Sequence, residues 1–179
     1  MSTAASVSFR EMSFLLQQMP HYRAYRTPDE AEEAERIFRR ALGLVLKECG
    51  DELLSVAEQK AYLLTHEQQA SIDALIDRIG AIFRRLDREG AVCLVGHCDS
   101  TIAELEELDT RLILLVEEAM SSVQSLCQDP ESAQWFQSQA PLLNRDLWAF
   151  GEAAEERNFL LGLGWESEFA WPNRRSQHG

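Results

Sequence analysis

Apolar side chains recur at three- and four-residue steps along most of this chain, with polar and charged residues filling the positions between them. One such series runs Phe38, Leu42, Val45, Cys49, Leu53, Val56, Leu63. It predicts a long amphipathic helix to about Leu64, with Gly50 as a place to bend. Thr27-Pro28-Asp29-Glu30 marks its start. Thr27 is suited to accept a hydrogen bond from a first-turn amide, Pro28 suits the first helical position, and Glu30 completes a capping box. Thr65-His66-Glu67-Gln68 is a second capping box. The helix it opens carries the stripe Ile72, Leu75, Ile76, Ile79, Phe83, Leu86, with Gly90 as its C-cap. The short turn between these helices predicts an antiparallel hairpin.

The six apolar residues from Ala91 to Gly96 are too few for periodicity to decide, and read as a buried connector or an extra turn. Asp99, Ser100 and Thr101 offer N-caps for a third long helix. Its stripe, Leu105, Leu108, Leu112, Leu115, Ala119, Val123 and Leu126, approaches a heptad seam. Asp129-Pro130-Glu131 opens a short helix carrying Trp135 and Phe136. Pro141 opens another, with Leu143, Leu147, Phe150, Ala154 and Phe159 turned inward, ending near Gly162 or Gly164. Ahead of all these, Phe9, Met12, Leu16 and Met19 share one face of a short helix that Pro20 stops, and the stretch from His21 to Arg26 reads as a linker.

The elements together predict an all-α fold, an antiparallel helical bundle of about three long and two to three shorter helices. Residues 1–26 form an N-terminal docking arm and linker, residues 27–164 the bundle, and residues 165–179 an aromatic C-terminal tail.

Charge narrows the partners. Seventeen Lys and Arg stand against 30 Asp and Glu, a net charge of −13. Such a body repels nucleic-acid phosphate and anionic membrane and favours cationic partners. No apolar run approaches transmembrane length and the N-terminus carries no secretory signal. The expectation is a cytoplasmic protein whose cysteines, Cys49, Cys93, Cys98 and Cys127, are reduced core thiols.

Candidate chemistry is thin. Di-iron bundles use Glu-x-x-His pairs, and none of His21, His66, His97 or His178 has a Glu three residues before it. His66-Glu67-Gln68-Gln69-Ala70 begins like a zinc-protease helix, but Ala70 stands where the second ligand belongs. Cys93, His97 and Cys98 are the densest group of soft ligands, and would suit zinc only if they converged with a further sulfur. His97-Cys98-Asp99 is not a nucleophilic dyad by adjacency alone, and Asp99 reads better as a helix N-cap. Arg36, Arg39 and Arg40 on one helix and Arg78, Arg84, Arg85 and Arg88 on its hairpin partner are interleaved with Glu32, Glu33, Glu35, Asp77, Asp87 and Glu89. Local ion pairing is the default reading, and an anion-binding patch arises only if both rows face the same side. No cofactor, metal or catalytic set is assigned.

The functional expectation is therefore a non-enzymatic protein–protein interaction module: an adaptor, regulator or assembly subunit. Its partner is a protein with a basic surface, or a second copy of the chain, with no direct nucleic acid and no membrane. Glu104, Glu106, Glu107, Asp109, Glu117 and Glu118 form a solvated acidic row, of which Glu104, Glu107 and Glu118 are taken as partner-binding. Trp135, Phe136, Trp148, Phe150 and Phe159 are assigned to the core, and Trp165, Phe169 and Trp171 to a partner contact. Two alternatives stand beside this: an acidic inhibitor of nucleic-acid-binding machinery acting by charge mimicry, and a metal-binding bundle enzyme using Cys93, His97 and Cys98.

Overall fold

The computed structural model describes residues 12–88 and 90–164. Among them the fold is all-α, without strands. Four long helices carry it: α1 (Pro28–Gln59), α2 (His66–Leu86), α3 (Cys98–Gln128) and α4 (Ala140–Leu160). Residues 12–17 are also helical, and short 3-10 turns occupy Tyr22–Arg26 and Ala61–Leu63.

The stripes bury as their spacing requires. Phe38, Leu42, Val45, Cys49, Leu53 and Val56 of α1 are buried, as are Leu105, Leu108, Leu112, Ala119, Val123 and Leu126 of α3. In α2 the deepest positions are Ile72, Leu75, Ile79 and Ile82, while Ile76, Phe83 and Leu86 pack partly buried at the edge. Gly50 does not break α1. Instead, a Cβ at Gly43 would touch the Phe83 ring at 3.4 Å and one at Gly50 would touch Ile79 at 3.7 Å. The two glycines, two turns apart, let α2 lie close along α1 and fix the antiparallel register of the hairpin.

Helix starts divide. Thr65 accepts from the Gln68 amide while the Gln68 side chain accepts from the Thr65 amide, so that capping box forms in full. Thr27 caps α1 by position only. Its side chain accepts no bond, and its amide closes the preceding 3-10 turn onto Ala24. The stretch from His21 to Arg26 is thus a structured turn that buries Tyr25, not a linker. Among residues 12–19 it is Leu15 that is buried, while Met12 and Met19 pack partly buried against the core; Leu16 is exposed, and Phe9 lies outside the described residues. For α3 the N-cap is His97, not Asp99. Thr101 donates to the Val95 carbonyl, and Asp99 instead pairs with Arg26 at 2.5 Å on the surface.

The two short C-terminal helices expected around Trp135 and Pro141 are one. The chain is helical from residue 133 onward, and a π-turn at Trp135–Gln139 leads straight into α4. The Ala140 amide reaches back to the Trp135 carbonyl, so the register is already widened where Pro141 brings a residue without an amide hydrogen. Trp135 is buried with its indole N–H donating to the Ser122 carbonyl at 2.9 Å. Trp148 and Phe159, expected in the core, are 39% and 42% exposed, and Trp148 is covered by the Arg78 guanidinium at 4.8 Å.

α1 packs on α2 and α3, and α4 packs on the same two. Consecutive helices α2 and α3 therefore occupy opposite corners. The connector between them crosses one end of the bundle, where the Cys93 and Val95 amides donate to the Leu161 and Leu160 carbonyls. Gly162 makes this possible: its φ is +75°, and any Cβ there would collide with the Cys93 carbonyl oxygen. α2 runs parallel to α4, as the Arg78–Asn144 and Arg88–Glu155 contacts show.

Candidate functional site

Three charged residues interrupt the apolar stripes at positions that face inward. Glu35 lies between Ala31 and Phe38 of α1, Asp109 between Leu105 and Leu112 of α3, and Arg157 between Ala153 and Leu160 of α4. All three are buried, Asp109 completely. Arg157 donates from Nε to Asp109 Oδ1 at 2.5 Å, from Nη1 to Glu35, and from Nη2 to the Tyr25 hydroxyl at 3.0 Å. Tyr25 donates to Glu35, and Tyr22 donates to Asp109 at 3.1 Å. Two carboxylates thus share one guanidinium in the core, and the 3-10 turn closes the set with two phenols.

The electrostatics are set by that geometry. Burial alone would raise the Glu35 carboxyl, but Arg157, Arg39 and the Tyr25 hydroxyl hold it at about 2. Burial raises Asp109, and Arg157 only partly offsets the effect. Burial also disfavours the charge on Arg157, yet Asp109 and Glu35 override it and keep the guanidinium protonated. Both phenols are pushed up, first by burial and then by their carboxylate neighbours.

A second layer carries this network outward. Arg39 donates to Glu35 at 2.8 Å, to the Arg88 carbonyl at 2.8 Å and to Asn158 at 2.9 Å. Arg88 grips the fully buried Glu155 with both nitrogens at 3.2 Å, and Arg85 lies 3.4 Å from the same carboxylate. Local pairing therefore describes Arg36 with Glu33 and Arg39 with Glu35, but Arg85 and Arg88 pair across the bundle with Glu155.

Arg39 and Arg88 form the inner wall of a groove of about 1030 Å³ between α1, the end of α2 and the connector. Six cationic side chains line it: Arg36, Arg39, Arg40, Lys47, Arg84 and Arg88. Acidic lining residues are Glu32, Glu35 and Asp87, and Leu44, Phe83, Leu86, Val92 and Leu163 supply apolar surface. Arg36 pairs with Glu33 and Lys47 with Asp51. Arg40 and Arg84 are exposed, with no carboxylate partner among the described residues. The arginine rows face one side only in part: Arg84 and Arg88 join Arg36, Arg39 and Arg40 at the groove, whereas Arg78 and Arg85 turn towards α4.

Of the residues singled out in the sequence, Glu104, Glu107 and Glu118 are exposed on α3, whereas Asp109 leaves that acidic row for the core. Trp165, Phe169 and Trp171 lie outside the described residues. Cys93 and His97 are exposed on the connector and Cys98 opens α3, so of the four thiols only Cys49 is fully buried. Among the described residues no three His, Cys, Asp or Glu side chains gather where one ion could be held, and no helix is long and apolar enough to cross a membrane. Sequence reasoning missed Glu35, Asp109, Glu155 and Arg157 as a set. The signal was present: charges of opposite sign standing in the apolar register of different helices.

Comparison with known protein families, with characterised proteins and with solved structures yields no match to this chain.

Proposed function

We propose that this chain is a non-enzymatic interaction protein whose α1–α2 groove receives an acidic, apolar-bearing segment of a partner protein. One observation carries the reading: in a chain of net charge −13, six cations line a single groove with apolar surface between them. Binding there discriminates by sign and by hydrophobic contact together. The groove tracks α1 from Glu32 to Lys47, about 22 Å at roughly 1.5 Å per residue. That length suits a peptide segment better than a small metabolite. The surrounding negative charge argues against a nucleic-acid backbone as the occupant. Arg39 and Arg88 of the inner wall are already fixed by buried partners, so these two side chains need no further ordering on binding.

A second contact, for a basic surface, is supported by α3. Glu104, Glu107, Leu114 and Glu118 fall near one another along the helix and are all exposed, with Leu114 at 55%. This surface lies on a different helix from the groove and is compatible with it.

Nuclear magnetic resonance tests the groove. A helical peptide of about 15 residues with Leu at three- and four-residue steps and Glu between should shift the resonances of Leu44, Phe83 and Arg84. Shifts confined to other faces, or none, would contradict the proposal.

A further inference from the structure

The groove has a candidate occupant in the chain itself. Leu163 lines it, and Arg88 of its inner wall donates to the Gly164 carbonyl at 3.2 Å, so the chain leaves the described region beside the groove. The next seven residues are Trp165-Glu166-Ser167-Glu168-Phe169-Ala170-Trp171. Alternate residues of an extended chain face opposite sides. In that form Trp165, Phe169 and Trp171 share one side and Glu166 and Glu168 the other. Seven extended residues span about 23 Å at roughly 3.3 Å each, against about 22 Å for the groove. With the aromatic side on Leu44 and Phe83, the two carboxylates face outward, where the long, exposed Arg40 and Arg84 side chains at the rim reach them.

We infer that residues 165–171 occupy the α1–α2 groove of their own chain and compete there with partners. This rests on the groove being a docking site for acidic, apolar segments. A tethered segment competes at an effective concentration on the order of millimolar. An external partner must displace it, and displacement frees the aromatic residues for a second contact.

Two measurements on the full-length chain separate the inference from the reading beneath it. The first tracks the indole N–H resonances of Trp165 and Trp171, with the free synthetic peptide of residues 165–171 as reference. In the wild-type protein they should lie away from the free-peptide positions, and in Arg40→Glu/Arg84→Glu they should return to them. Coincidence with the free peptide in the wild type overturns the inference. Positions that revert to the free peptide on dilution mean the groove holds a second copy's segment, and overturn the intramolecular form. The second titrates the Glu/Leu peptide into wild type and into Trp165→Ser/Phe169→Ser/Trp171→Ser. The variant should bind about ten-fold tighter or more. Equal, measurable binding by both overturns the inference and leaves the groove reading standing. Indoles docked as expected, with no peptide binding to either protein, would support the intramolecular contact and defeat the partner reading.

Discussion

Arg157 and Glu35 stand 122 residues apart in sequence and are joined by a buried, charge-assisted hydrogen bond in the core. That bond ties the last long helix to the first, and its companion to Asp109 adds the third. Removing Arg157 would take the shared cation from two buried carboxylates, leaving Asp109 without one and Glu35 with Arg39 alone. Arg157→Met should therefore destabilise by about 3–5 kcal/mol in urea unfolding. The triple replacement Glu35→Leu/Asp109→Leu/Arg157→Met should recover much of that loss, because it removes all three charges together. A single variant within about 0.5 kcal/mol of wild type would show that the network is not buried as described.

The same network sets a pH dependence. Glu35 is held at about 2, below its ordinary value of 4.5, so the folded state releases this proton more readily than the unfolded state. Its contribution is fully present above the unfolded value and is lost as pH falls from the ordinary value towards the folded one. Asp109, raised by burial, works in the opposite sense and flattens the wild-type profile. Comparing wild type with Glu35→Gln isolates the first group. The gap in melting temperature should be widest near pH 7 and narrow as pH falls below about 4.5. A gap that widens in acid would contradict the assignment.

Two glycines should respond with opposite signs. Gly162 sits at φ +75° against the Cys93 carbonyl, so Gly162→Ala combines left-handed strain with a collision. It should cost about 2 kcal/mol or more and speed amide exchange at Cys93 and Val95. Gly80 lies within α2 with nothing within 4 Å of an added Cβ. Gly80→Ala should stabilise by about 0.5–1 kcal/mol. Equal responses would mean that the connector does not dock on the end of α4.

Leu112 is fully buried in the middle of α3. Leu112→Ala should cost about 2–5 kcal/mol, the range for a large core side chain that leaves a cavity. A loss near zero would place the wrong face of α3 inward.

The helices were legible because each stripe repeats over many turns, as from Leu105 to Leu126, and because Thr65 and Gln68 sit at capping spacing. The joins were not. Pro141 looks like a helix start, but the π-turn before it is a backbone adjustment with no side-chain signature. Asp109 looked solvated beside Glu106 and Glu107, although its spacing from Leu105 and Leu112 puts it on the buried face. Its partner Arg157 is 48 residues away, a distance over which periodicity carries no information. The groove was legible only as a condition, that both arginine rows face one side. It is met for Arg84 and Arg88 but not for Arg78 and Arg85, which pack against α4.

Selection of an acidic, apolar-bearing segment by this groove rests on its own cations and not on the charge of the whole chain. Fluorescence anisotropy of the labelled Glu/Leu peptide, in the Trp165→Ser/Phe169→Ser/Trp171→Ser background so that the chain's own segment does not compete, tests it against two variants with the same change in net charge. Arg40→Glu/Arg84→Glu alters the groove, whereas Arg23→Glu/Arg145→Glu alters arginines elsewhere. The groove pair should weaken binding by about ten-fold or more, and added salt should weaken wild-type binding in the same direction. The distant pair should change it by less than about three-fold. Equal losses in the two variants would mean that the peptide senses only overall charge, and would contradict the account.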